Sequence, residues 1–477
     1  MGSRPREEWK ALLVSKPKLL RVLSVPELFG TSGIRGDLER VSPELAFNLG
    51  LAVATFLKNQ GSVAIGHDIR TSSPYLKHAL ASGLMAGGCR AVHFGPVPTP
   101  VLAFGTRENE LNSGVIITGS HNPATDNGLK CYSAEGREYT GEEEENLERL
   151  ILNRASRLMT WDRIGSATEY DHVLDQYVRA VLKEIKPVEK HLHVVVDCAN
   201  SVAANITPGL LSSLGCKVTT INANLDGTFP GRSPEPTPET LIELQRLVSE
   251  LKADLGIAHD SDADRVSIID EKGRYVTNDR LLAFFAKILL QRHGPGKIVT
   301  SVDTSPRIDE VAQRYGGHVE RTRLGRTHEA IVANREDLVL CCEPWKIIDV
   351  HWGFWGDGIY AACVLASQLS EAQLTLSKLL EDIPDYPQKR IAIPCTDQAK
   401  GPAMNIVKAR LAEEKNVKEV WQYDGVRVNY MDGSYVLLRP SGTEPRMRIY
   451  CEARSQTRLD ELVDRCTSLV KAATKTQ

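Results

Sequence analysis

The chain has 477 residues, 42% apolar and 25% charged, enough for about three or four domains of roughly 100–200 residues each and too apolar for disorder. Lys plus Arg number 58 and Asp plus Glu 61, a formal charge of −3, and 6% of residues are aromatic. That balance excludes a protein whose main work is to coat nucleic acid or an anionic membrane, which takes a basic excess and, for single strands, stacking rings.

Residues 1–25 are basic but lack a continuous apolar core before a small-residue cleavage site. They read as a solvated extension with a short helix, not a secretory signal. Gly2 follows Met1, yet Arg6 breaks the myristoylation pattern. The longest apolar runs, such as LLAFFAKILL (281–290), fall short of the about 18 residues that span a bilayer. No membrane or nucleic-acid partner is expected, and a cytoplasmic location is the default. The ten cysteines contain no C-x-x-C and no zinc spacing, so they are expected as buried, reduced thiols.

ELFGTSGIRG (27–36) is a Gly-rich loop with Thr31, Ser32 and Arg35, able to approach a phosphate closely, although such loops are common. SVAIGHDIRTSS (62–73) then opens a pattern that recurs in HVVVDCANSVAAN (193–205) and KIVTSVDTSP (297–306). Each copy reads strand, Asp-containing turn, helix, Gly stop, strand, with Asp68, Asp197 and Asp303 in matching places. That is a βαβ unit with parallel strands, and three copies predict three similar α/β domains.

Between the copies lie polar loops. In TGSHNPATDNGLK (118–130), Ser120 sits beside His121 after the apolar run GVIIT, with Lys130 downstream. This fits a nucleophile or phosphate carrier, and equally a plain Ser-Asn-Pro turn. In ADLGIAHDSDADRVSIID (253–270), Asp260, Asp262 and Asp264 concentrate negative charge that a cation would neutralise. Oxygen ligands of this kind suit Mg²⁺, and Arg265 stands where an EF-hand loop needs Gly. The alternative is a solvated acidic turn. Residues 389–395 and 426–453 alternate as strands around a turn at Met431-Asp432-Gly433, accompanied by two helical stretches, which predicts a smaller α+β domain with an antiparallel sheet. Within it, LLRPSGTEPRMRIYCE (437–452) offers Arg439, Ser441, Gly442 and Thr443 as a guanidinium plus a nest of donors for a phosphate.

Taken together, FGTSGIRG, TGSHNP, D-x-D-x-D-R and RPSGTEP resemble the α-D-phosphohexomutase family over nearly the whole chain after residue 25. The resemblance implies three similar mixed-sheet α/β domains and a C-terminal α+β domain around a central cleft. The boundaries are expected near residues 160, 275 and 388, giving domains 26–160, 161–275, 276–388 and 389–477 after the 1–25 extension. It implies phosphorylation of Ser120, Mg²⁺ held by Ser120, Asp260, Asp262 and Asp264, and Arg35, His121, Lys130 and Arg265 in the active site. Arg439, Ser441, Gly442 and Thr443 would grip the non-transferred phosphate, and Glu343 would bind the sugar. The implied reaction moves a phosphoryl group between positions 1 and 6 of a hexose phosphate through a bisphosphorylated sugar, which also serves as activator, in a monomer or homodimer.

One loop departs from the family pattern. Where Gly-Glu-x-Ser-Gly-His is usual, this chain has Cys342-Glu343-Pro344-Trp345-Lys346-Ile347, a variant that looks like archaeal members. Several of those resemble phosphoglucosamine mutases, so glucosamine phosphate is the expected sugar, with phosphomannomutase or phosphoglucomutase activity as the alternative. A metal-dependent phosphatase and a non-catalytic sugar-phosphate-binding protein also remain open. The aromatic segment DVHWGFWGDG (349–358) reads as core or domain-interface packing.

Overall fold

The computed structural model describes residues 28–475, apart from residues 31, 334, 413 and 442–444. The extension at 1–25, and Gly442 and Thr443 of the phosphate loop, therefore lie outside the described residues.

Each βαβ pattern folds as read, and each carries the same addition. Strand Ser62–His67 pairs in parallel with Arg90–Pro96 and with Ser113–Ile117, and the latter turns back into antiparallel Asn127–Ser133. Strand His193–Asp197 pairs in parallel with Lys217–Ile221 and Leu255–Ala258, which turns back into Ser267–Ile269. Strand Lys297–Ser301 pairs in parallel with His318–Thr322 and Leu338–Glu343, which turns back into Lys346–Asp349. Val194, Val195 and Val196 are wholly buried, as expected of a parallel strand covered on both faces. A short strand, Ala167–Glu169, adds to the edge of the first sheet beside Arg90–Pro96.

This repetition positions the chemistry. The polar loops at 118–126, 259–266 and 344–345 are the same topological turn in three sheets, leaving the carboxyl end of a parallel strand for its antiparallel neighbour. Open α/β sheets place their ligands at such strand ends. The C-terminal domain differs: its five strands are all antiparallel, in the order Gln388–Pro394, Arg446–Glu452, Tyr435–Pro440, Val426–Tyr430, Val417–Trp421.

One apolar core runs through the three α/β domains, containing Phe104, Val196, Phe284 and Trp355. The aromatic segment at 349–358 is its weld. Trp352 stacks on Phe104 and Tyr360, and Asp357 accepts hydrogen bonds from the Trp352 and Trp355 indoles, the Tyr177 hydroxyl and the Tyr360 amide. Four donors offset the burial of that carboxylate. The C-terminal domain has its own core of Val428, Leu438, Ile449 and Leu462. It meets the third domain through a small cluster of Val302, Tyr435, Leu437 and Tyr450. Among the described residues no helix is long and apolar enough to cross a membrane, and all ten cysteines are buried and free.

Candidate active site

Ser120 sits at the tip of the first loop with φ of 48°, in the left-handed region that costs a residue with a Cβ some strain. A clamp holds it there. Arg70, fully buried, pairs with Asp68 at 3.0 Å and donates to the carbonyls of Ser120 (2.8 Å), Asn122 (2.7 Å), Asp126 (2.9 Å) and Pro123. Gly119 is required beneath it, because a Cβ there would lie 2.5 Å from the Arg70 guanidinium carbon. The Ser120 hydroxyl donates to Asp260 at 2.7 Å, and His121 Nδ1 lies 3.4 Å away.

The second loop supplies the carboxylates, all buried. A matching clamp supports it: Arg232 pairs with Asp197 at 2.8 Å and donates to the His259 carbonyl at 2.7 Å. Asp262 lies at the N-terminus of helix Thr99–Glu108, accepting from the Thr99 hydroxyl at 2.6 Å, where the helix dipole favours an anion. Lys130 donates to Oδ2 of Asp262 (3.0 Å) and of Asp264 (2.9 Å). Ser261 ties the two loops together through the Ser120 carbonyl at 2.7 Å. Gly358 packs beneath, where a Cβ would lie 2.3 Å from the Arg265 carbonyl.

Burial, reinforced by Asp262 and Asp264, holds the Asp260 carboxyl well above the usual carboxylate range. Burial also pushes Asp262 upward, but Lys130, the Thr99 hydroxyl and Arg35 outweigh it and hold it low. The same carboxylates outweigh burial at Lys130 and raise its ammonium. His121 falls well below its ordinary value through burial and the nearby Arg265, Arg35 and Lys130.

The chemistry of the donors fits a hard divalent cation. Oxygens of Asp260, Asp262 and Asp264 lie within 4.8 Å of one another. Oδ1 of Asp262 and Oδ1 of Asp264 are buried with no hydrogen-bond partner in the described structure, a costly arrangement that a metal ion resolves.

The remaining residues extend this centre. Half-buried Arg35 donates to His121 Nδ1 at 3.3 Å. Arg265 approaches Asp260 at 3.8 Å and stacks over the Trp345 ring at 5.6 Å. The third loop is a tight hairpin, with Pro344 followed by Trp345 at φ 68°. It docks on the carboxylate loop, the Val266 amide donating to the Trp345 carbonyl at 3.1 Å, and on the first domain through a Lys346–Glu138 ion pair. The two oxygens of Glu343 accept from Gly325 N (3.1 Å), Thr327 N (3.3 Å) and Thr327 Oγ1 (2.9 Å), bracing the turn at 323–327. That turn reaches the C-terminal domain, where Asp424 accepts from Leu324 N at 3.0 Å and pairs with Arg439 at 3.1 Å. Ser441 lies beside Arg439, its carbonyl accepting from Lys400 at 2.6 Å.

The four loops thus form one chain of contacts. Sequence reasoning missed Arg70, Arg232, Thr99, Ser261, Lys400 and Asp424. For Arg70 a signal existed: it lies two positions after Asp68, inside the first copy of the repeated motif.

Four family profiles match along the chain: phosphoglucomutase/phosphomannomutase α/β/α domain I at residues 26–157, domain II at 175–273, domain III at 277–386 and the C-terminal domain at 391–468. The chain belongs to the phosphoglucomutase/phosphomannomutase family. It is accordingly an intramolecular phosphotransferase of the phosphohexomutase class, in a family that depends on Mg²⁺. A phosphopentomutase of Thermococcus kodakarensis is 42% identical, covering 94% of this chain and 98% of that protein. A chain of Methanopyrus kandleri named probable phosphoglucosamine mutase is also 42% identical, covering 93% and 97%. Among solved structures, a phosphoglucomutase/phosphomannomutase family protein of Burkholderia thailandensis superposes with a TM-score of 0.83 at 27% identity, covering 94% of this chain and 98% of that one.

Proposed function

We propose that Ser120 carries the phosphoryl group and that the substrate is glucosamine phosphate, interconverted between its 1- and 6-phosphates. The observation that carries this reading is the Ser120 hydroxyl at 2.7 Å from a buried carboxylate triad with two unpartnered oxygens. Asp260, Asp262 and Asp264, with an oxygen of the Ser120 phosphoryl group, would hold Mg²⁺, which when bound supplies a Lewis acid to the phosphoryl oxygens.

The chain's own residues do the rest. Arg35 and Arg265 gather cationic charge around the Ser120 loop, where negative charge spreads in phosphoryl transfer. A hydroxyl oxygen of the sugar phosphate attacks the phosphorus, and the bond to Ser120 Oγ breaks. The hydroxyl proton passes to His121 or to Lys130, the two titratable nitrogen groups at this centre. The bisphosphorylated sugar turns over, presents its other phosphate, and Ser120 takes that group back. Arg439 and Ser441, with Gly442 and Thr443, hold whichever phosphate is not in transit, and that phosphate must displace Asp424 from Arg439.

Glucosamine phosphate is supported by likeness to chains named phosphoglucosamine mutase. The Thermococcus relative supports a second reading, a pentose phosphate, since the hairpin at 344–345 lacks the usual Ser and His. Competition among glucosamine, mannose and glucose 6-phosphates and ribose 5-phosphate at equal concentration tests this, with glucosamine phosphate expected to turn over fastest. A higher kcat/KM for any other removes the glucosamine assignment.

A further inference from the structure

Away from the four loops, His293, Asp349 and His351 meet on the third domain. His293 ends helix Asn278–His293, Asp349 ends strand Lys346–Asp349, and His351 lies in the turn that follows. We propose that these three side chains bind a divalent transition metal, separate from the Mg²⁺ of the carboxylate triad.

Two observations support the site. One donor atom from each residue lies within 4.8 Å of the others. Asp349 is only 5% exposed, yet its Oδ2 is buried without a hydrogen-bond partner, and so is His293 Nε2. Its other oxygen, Oδ1, accepts from the His351 amide at 3.0 Å and lies 3.7 Å from His351 Nδ1. The two imidazoles stack face to face, 3.6 Å apart and 2° from parallel, and because each nitrogen lone pair lies in its ring plane, one ring must turn out of the stack before both can share an ion. The helix C-terminus at His293 adds partial negative charge, which favours a cation.

The donor set selects the metal. Two imidazole nitrogens and one carboxylate oxygen suit Zn²⁺, Ni²⁺ or Co²⁺, whereas Mg²⁺ prefers oxygen alone. Bonds of about 2.0–2.2 Å place donor atoms roughly 3–4 Å apart, so the cluster must close by about 1 Å. The His351 side chain, 43% exposed on its turn, supplies this by rotation. The bound ion would clamp the end of the helix to the turn that leads into Trp352, Trp355 and Asp357, the weld between the first and third domains. Its role is structural and leaves the phosphoryl chemistry untouched.

The test uses chelator-stripped full-length protein returned to excess Mg²⁺, which saturates the triad, followed by Zn²⁺ titration. Bound zinc is measured by elemental analysis after dialysis, together with Tm. Wild type is expected to hold one more zinc per chain than His351→Ala, with zinc affinity lowered roughly tenfold or more in the variant. Zinc should raise the Tm of wild type only, while mutase activity in Mg²⁺ stays equal in both. Asp349→Asn provides a second, nearly isosteric variant that should lose the same zinc. Equal zinc content and equal Tm response in wild type and both variants would overturn the site and leave an ordinary stacked histidine pair.

Discussion

The two poles of the active site are built differently. At the Ser120 pole, loops from two domains interlock through Ser120–Asp260, Ser261–Ser120, Thr99–Asp262 and Lys130, over a core shared by three domains. At the Arg439 pole, the C-terminal domain keeps its own core and touches its neighbour through a four-residue apolar cluster and polar contacts such as Arg307–Glu452 and Asp424–Leu324. Small, polar interdomain contacts are the ones that open. On the proposed function the contrast is a division of labour: transfer chemistry needs fixed atoms, whereas a grip that must accept either end of a turning sugar needs a domain that can let go.

The largest effect should come from the fixed pole. Ser120→Ala removes the proposed phosphoryl carrier, and turnover should fall by about 10⁴-fold or more while circular dichroism and Tm stay near wild type. Asp262→Asn leaves Lys130 and Thr99 around a weakened metal ligand. It should cost more than the roughly 10–100-fold typical of an outer-shell partner and raise the Mg²⁺ concentration needed for half-maximal rate. Activity that survives EDTA would remove the metal from the chemistry. Arg70→Lys keeps the charge but loses the fork that holds the Ser120 loop, so kcat should drop about 10–100-fold with KM little changed. At the movable pole the effect should be smaller and of another kind. Arg439→Lys should raise KM, at a cost of about 1–2 kcal/mol or roughly 5–30-fold in kcat/KM. A kcat defect in Arg439→Lys matched by a KM defect in Arg70→Lys would erase the distinction between the poles.

Much of this was legible in the sequence because it rests on local pattern. The strand–Asp–helix–Gly rhythm gave three βαβ units, and the alternation at 426–452 gave the antiparallel domain. Ser120, His121, Lys130 and the three aspartates fall into contact as their loops suggested. What stayed hidden depends on contacts across domains. Thr99 meets Asp262 across 163 positions, and no spacing rule reports that. The donors to Glu343, the amides of a turn 16 and 18 positions earlier, are invisible until the sheet forms. Arg232 lies 35 positions from Asp197, so its likeness to the Asp68–Arg70 pair appears only in three dimensions. The aromatic segment was legible as packing, although not as the donor set that gathers on Asp357.

The central assignment is the phosphoryl carrier, and the most direct measurement follows the phosphoryl group itself. Enzyme is mixed with glucosamine phosphate bearing a labelled phosphate, quenched within one turnover, digested and read peptide by peptide. Label is expected on the peptide containing Ser120 in the wild type and on no peptide of Ser120→Ala. Label on another residue, or full turnover with no labelled protein at any time, would contradict it.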